Sequence, residues 1–318
     1  ARISVLSELP ERWRDALERW REMNRPHVTT VDEVEAPDAN AQYLLYQTLV
    51  GAWPPGLGAE GPRGDLVERV QEYMRKAARE AKLHTSWVSP NEAYEQALQQ
   101  FVASVLEPTP DNEFPADLLR FLGVVLRPGL LNAVAQVVLK AASPGVPDFY
   151  QGTELPEFRL VDPDNRRAVD FERRRWLLAE MLREAEADAP GLASRLLTGT
   201  DGRLKLWVTS RALAVRRSRK ALFEEGDYQP LAARGTREQE VVAFARRHGE
   251  RTVIAAAGRF FTRLPDPPTG EAAWGDTTLR LPPGAPDAWR DAIVGHELRA
   301  AGGVGARLAL ADVFRHLP

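Results

Sequence analysis

Apolar residues recur at every third or fourth position through most of the first 220 residues, and no alternating pattern occurs before about residue 145, so this stretch reads as helical. Ser7 is placed to cap a helix through Arg21 whose Leu9, Trp13, Leu17 and Trp20 share one face. Residues 40–53 give a second helix, stopped by Pro54-Pro55. A Gly/Pro-rich loop at 56–64 leads to Asp65, the expected cap of a long helix that carries Leu66, Val70, Tyr73, Met74 and Ala77 and ends near Leu83. His84-Thr85-Ser86-Trp87 makes a polar and aromatic break, after which Asn91 caps a helix to about Leu106. Residues 114–142 keep the helical pattern, interrupted at Pro128-Gly129.

Residues 144–152 read as a tight turn and a short buried strand ending in a glycine. Helices are expected again at 172–187 and 203–219. Past Gly226 the texture changes to short strands at 228–233, 240–246, 251–257, 277–281, 289–293 and 307–314, punctuated by Gly, Pro and Asp. The expected fold class is α+β: a largely helical N-terminal region followed by an antiparallel β-sheet or sandwich domain. Three regions follow, at 1–143, 144–220 and 221–318.

Composition narrows the partners. The 318 residues are 44% hydrophobic and 27% charged, as in a folded globular protein. Lys and Arg total 42 against 45 Asp and Glu, a net charge of −3 that offers no general attraction to nucleic acid or anionic lipid. No run approaches the roughly 18 consecutive apolar residues of a membrane span, and residues 1–4 hold no secretory signal, so no membrane partner and a cytoplasmic location are expected. The absence of Met at position 1 reads as truncation. With no cysteine, disulfides, thiolate zinc sites and cysteine nucleophiles are excluded. His27, His248, His296 and His316 are scattered without ligand spacing, so neither a metal nor a cofactor is expected.

The candidate chemistry clusters after the 144–152 segment. Tyr150, Gln151 and Glu154 are followed by Asp162, Asp164, Asn165 and Arg166, which together supply carboxylates, amides, a guanidinium and an aromatic ring. A sugar needs that set, because its hydroxyls seek polar partners and its ring face seeks an aromatic platform. The alternative is that Asp162-Pro163-Asp164-Asn165 is a turn and that Arg166 and Arg167 are solvated charges. A second group, Lys82, His84 and Trp87, sits at the break between two helices. Its alternative is a Trp87 packed in the core and a His84 satisfied at the surface.

The 144–154 segment, Pro-Gly-Val-Pro-Asp-Phe-Tyr-Gln-Gly-Thr-Glu, together with Asp162 to Arg167, resembles the eighth barrel strand and following loop of the α-amylase superfamily. Residues 46–53, residues 73–87 ending in His84-Thr85-Ser86-Trp87, and residues 222–228 narrow the resemblance to the maltooligosyl trehalose synthase family. The resemblance implies the last β/α unit of a (β/α)8 barrel at 144–220, a helical insertion with barrel helices at 1–143, and a C-terminal β-domain. It also implies a parent isomerase, a (1→4)-α-D-glucan 1-α-D-glucosylmutase. Such an enzyme converts the reducing-end α-1,4 bond of a maltooligosaccharide to α,α-1,1 by a retaining, two-carboxylate route in which the freed glucose re-attacks.

By the same resemblance the reacting carboxylates lie on earlier barrel strands, so no catalytic residue is carried over and the chain alone is expected to be inactive. It would supply part of the substrate-binding wall and need the N-terminal remainder of the enzyme as partner. A maltooligosyl trehalose trehalohydrolase is a possible pathway partner. Two other readings stay open: a non-catalytic carbohydrate-binding or scaffolding module, and a fragment of another amylase-type glycoside hydrolase.

Overall fold

The computed structural model describes residues 1–54, 56–58, 65–302 and 305–318. Most of the expected 56–64 loop therefore lies outside the described residues. The chain divides into two compact units, residues 1–127 with 158–168, and residues 128–157 with 169–318.

The first unit is built on helices α1 (Arg2–Val5), α2 (Pro10–Asn24), α3 (Ala39–Ala52), α4 (Leu66–Ala81) and α5 (Glu92–Val105), and on the first half of α6 (Phe114–Ala142). Its core gathers around Trp20, which is fully buried and meets Tyr46, Phe114 and Phe121 edge-on at 5.4–5.6 Å between ring centres. The indole N–H is satisfied by the buried Asp117 carboxylate at 2.7 Å, as a desolvated donor must be. Asp38 and Asn91 cap α3 and α5 through the N–H groups of Ala41 and Tyr94, each cap contributing about 1 kcal/mol. Asn91 thus does what its position predicts.

Three local expectations for this unit are corrected. Ser7 does not cap α2: its hydroxyl donates to the Ser4 carbonyl, and Leu9 and Pro10 open the helix, Pro being suited to a first turn whose N–H is orphaned anyway. Asp65 precedes α4 without a side-chain cap, because its backbone is already helical and its carboxylate is taken by Arg167. The stretch before residue 145 also holds a hairpin, β1 (Thr29–Val31) paired antiparallel with β2 (Val34–Ala36). Only two residues turn it, Asp32 and Glu33, both at positive φ, and three-residue strands are too short to show alternation.

Helix α6 runs unbroken through Pro128. An internal proline costs about 3 kcal/mol, but buried side chains flank it on both sides: Leu118, Leu122 and Val125 in the core of the first unit, Leu131, Val134 and Val137 in that of the second. By length and composition this 29-residue helix could cross a membrane. Asp117 is buried on it and accepts from Arg120, Trp20 and Arg19, and its apolar stripes serve the two cores.

The second unit adds α7 (Phe171–Thr198), kinked at Asp188, then α8 (Arg203–Ser218) and α9 (Lys220–Glu225). Small antiparallel sheets follow. In one, β3 (Asp227–Pro230) and β6 (Arg251–Gly258) flank β5 (Val241–His248); in another, β4 (Ala233–Arg234) and β10 (Arg307–Ala309) flank β7 (Thr278–Arg280); β8 (Ala288–Arg290) pairs with β9 (Glu297–Arg299). Helix α10 (Gly270–Trp274) lies between β6 and β7 in sequence. The change of texture after Gly226 is real, and the last expected strand turns after Ala309 into a short helix, α11 (Leu310–Val313). The buried Arg246 ties the sheet to its helical neighbours by donating to the carbonyls of Ala142, Phe223, Gly226 and Asp227. Gly226 has to be glycine, since a Cβ there would stand 2.2 Å from the Leu222 carbonyl oxygen.

The buried strand expected at 144–152 is not formed. The segment is irregular and Val146 is 94% exposed. A strand needs a neighbour to satisfy its backbone, and among the described residues none pairs with this one. Side chains take the carbonyls instead: Lys140 donates to Asp148 at 2.7 Å, and Arg216 to Gly145. The architecture is thus helical with small antiparallel sheets, an α+β arrangement.

Candidate functional site

Helix α4 is amphipathic in two senses. Leu66, Val70 and Met74 bury one face, while Arg69, Glu72, Tyr73 and Lys76, at i, i+3, i+4 and i+7, form a polar and aromatic stripe. That stripe makes one wall of a recess of about 340 Å³; Arg75, residues 160–164, Arg167 and Trp87 complete it. All of it belongs to the first unit. Two groups that sequence alone leaves apart, the 162–167 turn and Trp87, therefore meet at one concavity.

The turn is held by ion pairs. Asp164 accepts from Arg69 Nε and Nη2, from the Leu160 N–H at 2.7 Å and from Arg167 at 2.9 Å. Burial alone would raise its pKa, but Arg69, the Leu160 N–H and Arg167 outweigh it and hold the carboxyl below the usual range. Its oxygens are fully engaged, so Asp164 shapes the recess. Lys76 donates to the Asp162 carbonyl at 2.8 Å, and the Asp162 carboxylate, half-exposed, pairs with the exposed Arg166. Asn165 lies half-buried within the same short turn. The turn reading of 162–165 is therefore correct, and Asp162 still faces the recess with Lys76, Tyr73 and Trp87.

Trp87 is 57% exposed. It is not a core residue. The Arg79 guanidinium lies over its ring at 4.9 Å. His84 does not line the recess; its Nε2 is 2.8 Å from Asp38 and its ring stacks on Tyr94 at 4.7 Å, which fastens the break to the starts of α3 and α5. Lys82 is exposed in a left-handed conformation and closes α4 through its N–H to Ala78. Tyr150, Gln151 and Glu154 belong to the second unit. Tyr150 and Gln151 are exposed on a turn around Gly152, where φ is +91° and a Cβ would press on Glu157 and Val169. Glu154 pairs with Arg174, which also donates to the Gly152 carbonyl.

The recess residues not singled out as site residues from sequence include Arg69, Glu72, Tyr73 and Lys76 on α4. Their signal was present as the i, i+3, i+4, i+7 spacing of the α4 stripe, but a polar helix face ordinarily faces solvent. Among the described residues no cluster of three or more metal-ligating side chains occurs.

No protein-family model matches the chain. Proteins named maltooligosyl trehalose synthase from two Mycobacterium tuberculosis strains, CDC 1551 and H37Rv, are each 33% identical to it over 296 residues, which is 93% of this chain and 32% of theirs. The solved maltooligosyltrehalose synthase of Arthrobacter ramosus superposes with a TM-score of 0.74 at 32% identity, covering 100% of this chain and 35% of that one. The chain is homologous to about a third of a maltooligosyl trehalose synthase. A further maltooligosyl trehalose synthase structure agrees, with a TM-score of 0.68 at 29% identity over 94% of this chain and 35% of that one. The family indicated by the His84 to Trp87 block and the 144–154 segment is thus the one these similarities return. The chain spans about a third of the length of the relatives it matches.

Proposed function

We propose that this chain is the carboxyl-terminal part of a maltooligosyl trehalose synthase, and that the recess between α4 and the 160–167 turn is part of the wall that holds the maltooligosaccharide. The observation that carries the reading is the meeting of Trp87 with Asp162, Lys76 and Tyr73 on one concavity, in a chain homologous over nearly its whole length to such enzymes. Trp87 offers a face to a pyranose ring, and Asp162 and Lys76 offer an acceptor and a donor to its hydroxyls.

In the whole enzyme the reaction is an isomerisation: the reducing-end α-1,4 bond is exchanged for α,α-1,1 without loss of glucose. The binding wall supports this by holding the chain while the freed glucose turns over and water is kept out. No residue here is assigned as nucleophile or general acid, and the irregular 144–152 segment is read as the last barrel strand, ordered by neighbours that the rest of the enzyme supplies. The 318 residues alone are inactive in this reading, the protein works in the cytoplasm, and its trehalosyl-ended product suits a trehalohydrolase.

The test is product analysis. The enzyme that contains this chain should convert maltopentaose to a non-reducing isomer of the same mass, and the 318-residue chain alone should not. Release of glucose or maltose as the main product would point to a hydrolase instead.

A further inference from the structure

We infer that Glu95 and Arg79, neither of which lines the recess, are positioning residues that set the plane of Trp87, so that a sugar stacks on the indole face turned away from Arg79. The inference rests on the reading of the recess as a saccharide-binding wall and goes beyond it by naming what orients its aromatic platform.

A tryptophan that is 57% exposed on a break between helices has little packing of its own to fix it. What holds it here is a chain of charge. Arg79 lies over the Trp87 ring at 4.9 Å, and a guanidinium that stacks on a ring face keeps its edge free for hydrogen bonds. That edge is engaged by Glu95, which accepts Nε at 2.7 Å and Nη2 at 2.6 Å. A two-point fork fixes the guanidinium plane, and with it the plane of anything stacked on it.

Glu95 is itself immobilised. It is buried on α5 and accepts a third hydrogen bond, from the Thr85 hydroxyl at 2.6 Å. The Thr85 oxygen in turn accepts the Asn91 N–H at 3.0 Å, beside the Asn91 cap of α5. One carboxylate thus anchors both the arginine that backs the indole and the backbone that carries it. The hydrogen bond from Arg79 leads in holding its pKa below the usual carboxylate range, so the anchor stays ionised at neutral pH.

The experiment is a double-mutant cycle on the 318-residue chain, with maltopentaose as the probe and affinity read by calorimetry. Glu95→Gln keeps the shape but breaks the fork, and Arg79→Lys keeps the charge but not the plane. Each should weaken binding by about fivefold or more in the parent and by nothing further in the Trp87→Ala background, as expected for groups that act through one another. In parallel, the near-UV circular dichroism contributed by Trp87, taken as the difference from Trp87→Phe, should collapse in both variants. Loss of affinity of equal size in the Trp87→Ala background would mark a merely structural role and overturn the inference, as would an unchanged Trp87 signal. If Trp87→Ala itself binds as tightly as the parent, the saccharide reading of the recess fails instead. Arg79→Lys leaves Glu95 charged and Thr85 bonded, so it serves if Glu95→Gln does not fold.

Discussion

Arg69 grips Asp164 with Nε at 3.0 Å from both carboxylate oxygens and Nη2 at 2.8 Å from one, and the two side chains are only 12% and 10% exposed. The other N–H of Nη2 reaches the Phe158 carbonyl. This largely buried ion pair, with Lys76 on the Asp162 carbonyl and Arg167 on Asp65, fixes the 158–168 segment against α4 and gives the recess its shape.

Removing Arg69 leaves Asp164 with only Arg167 and the Leu160 N–H. Arg69→Met should destabilise the first unit by about 2 kcal/mol, the usual cost of losing a hydrogen bond to a charged and largely buried group, and a urea titration read by tryptophan fluorescence checks it. The double variant Arg69→Met, Asp164→Leu should recover a large part of the loss. An equal or greater loss in the double variant would mean that packing, not charge, holds the segment.

Acid should loosen the first unit. Arg79 holds Glu95 below the usual range, and in Asp117 the hydrogen bonds from Arg120, Trp20 and Arg19 outweigh a burial that would raise its pKa; Asp164 behaves likewise. A carboxyl whose folded pKa lies below its unfolded value contributes stability that is complete above the unfolded pKa and is lost as pH falls towards the folded one. The thermal midpoint should therefore drop as pH is lowered below about 4.5, where the unfolded chain takes up more protons. In Asp117→Asn that slope should be shallower; an unchanged slope would remove Asp117 from the account.

Two tryptophans should respond to very different degrees. Trp20 is fully buried and donates to Asp117, so Trp20→Phe should cost about 2 kcal/mol through the lost hydrogen bond to a charged acceptor and the smaller ring. Trp87→Ala removes a mostly exposed ring and should stay within about 0.5 kcal/mol of the parent. Paired chemical denaturation curves decide it.

In the second unit, Arg246 is 2% exposed and serves four backbone carbonyls. Arg246→Met keeps the volume but leaves those carbonyls without their donor, and should cost about 3 kcal/mol, visible as an earlier loss of the β-sheet signal on heating. Arg246→Lys should recover little, since one ammonium cannot span four acceptors.

Helical periodicity sufficed for α2 to α5, for α8 and for α7 as far as its kink at Asp188, though not for the half of α7 beyond it, because each hides an apolar stripe and several begin at a side chain that can cap. It failed where the deciding partner is distant in sequence. Pro128 reads locally as a break, yet the burial of Leu122, Val125, Leu131 and Val134 on either side of it holds the helix. Residues 144–152 read locally as a buried strand, and no described neighbour supplies its ladder. At the site, residue type was informative and role was not: Asp162 and Asp164 look equivalent in sequence, but only the fold brings Arg69, 95 positions away, onto Asp164. The meeting of Trp87 with the 160–167 turn is likewise a product of α4 packing, which no spacing rule contains.

The most direct test of the account is a maltopentaose titration of the chain followed through the indole N–H resonance of Trp87, assigned by its loss in Trp87→Phe. Saturable movement of that resonance, with those of the buried Trp20 and Trp274 unmoved, is the predicted result. Saturable binding that leaves Trp87 unmoved, or no binding at any concentration the sugar's solubility allows, would contradict it.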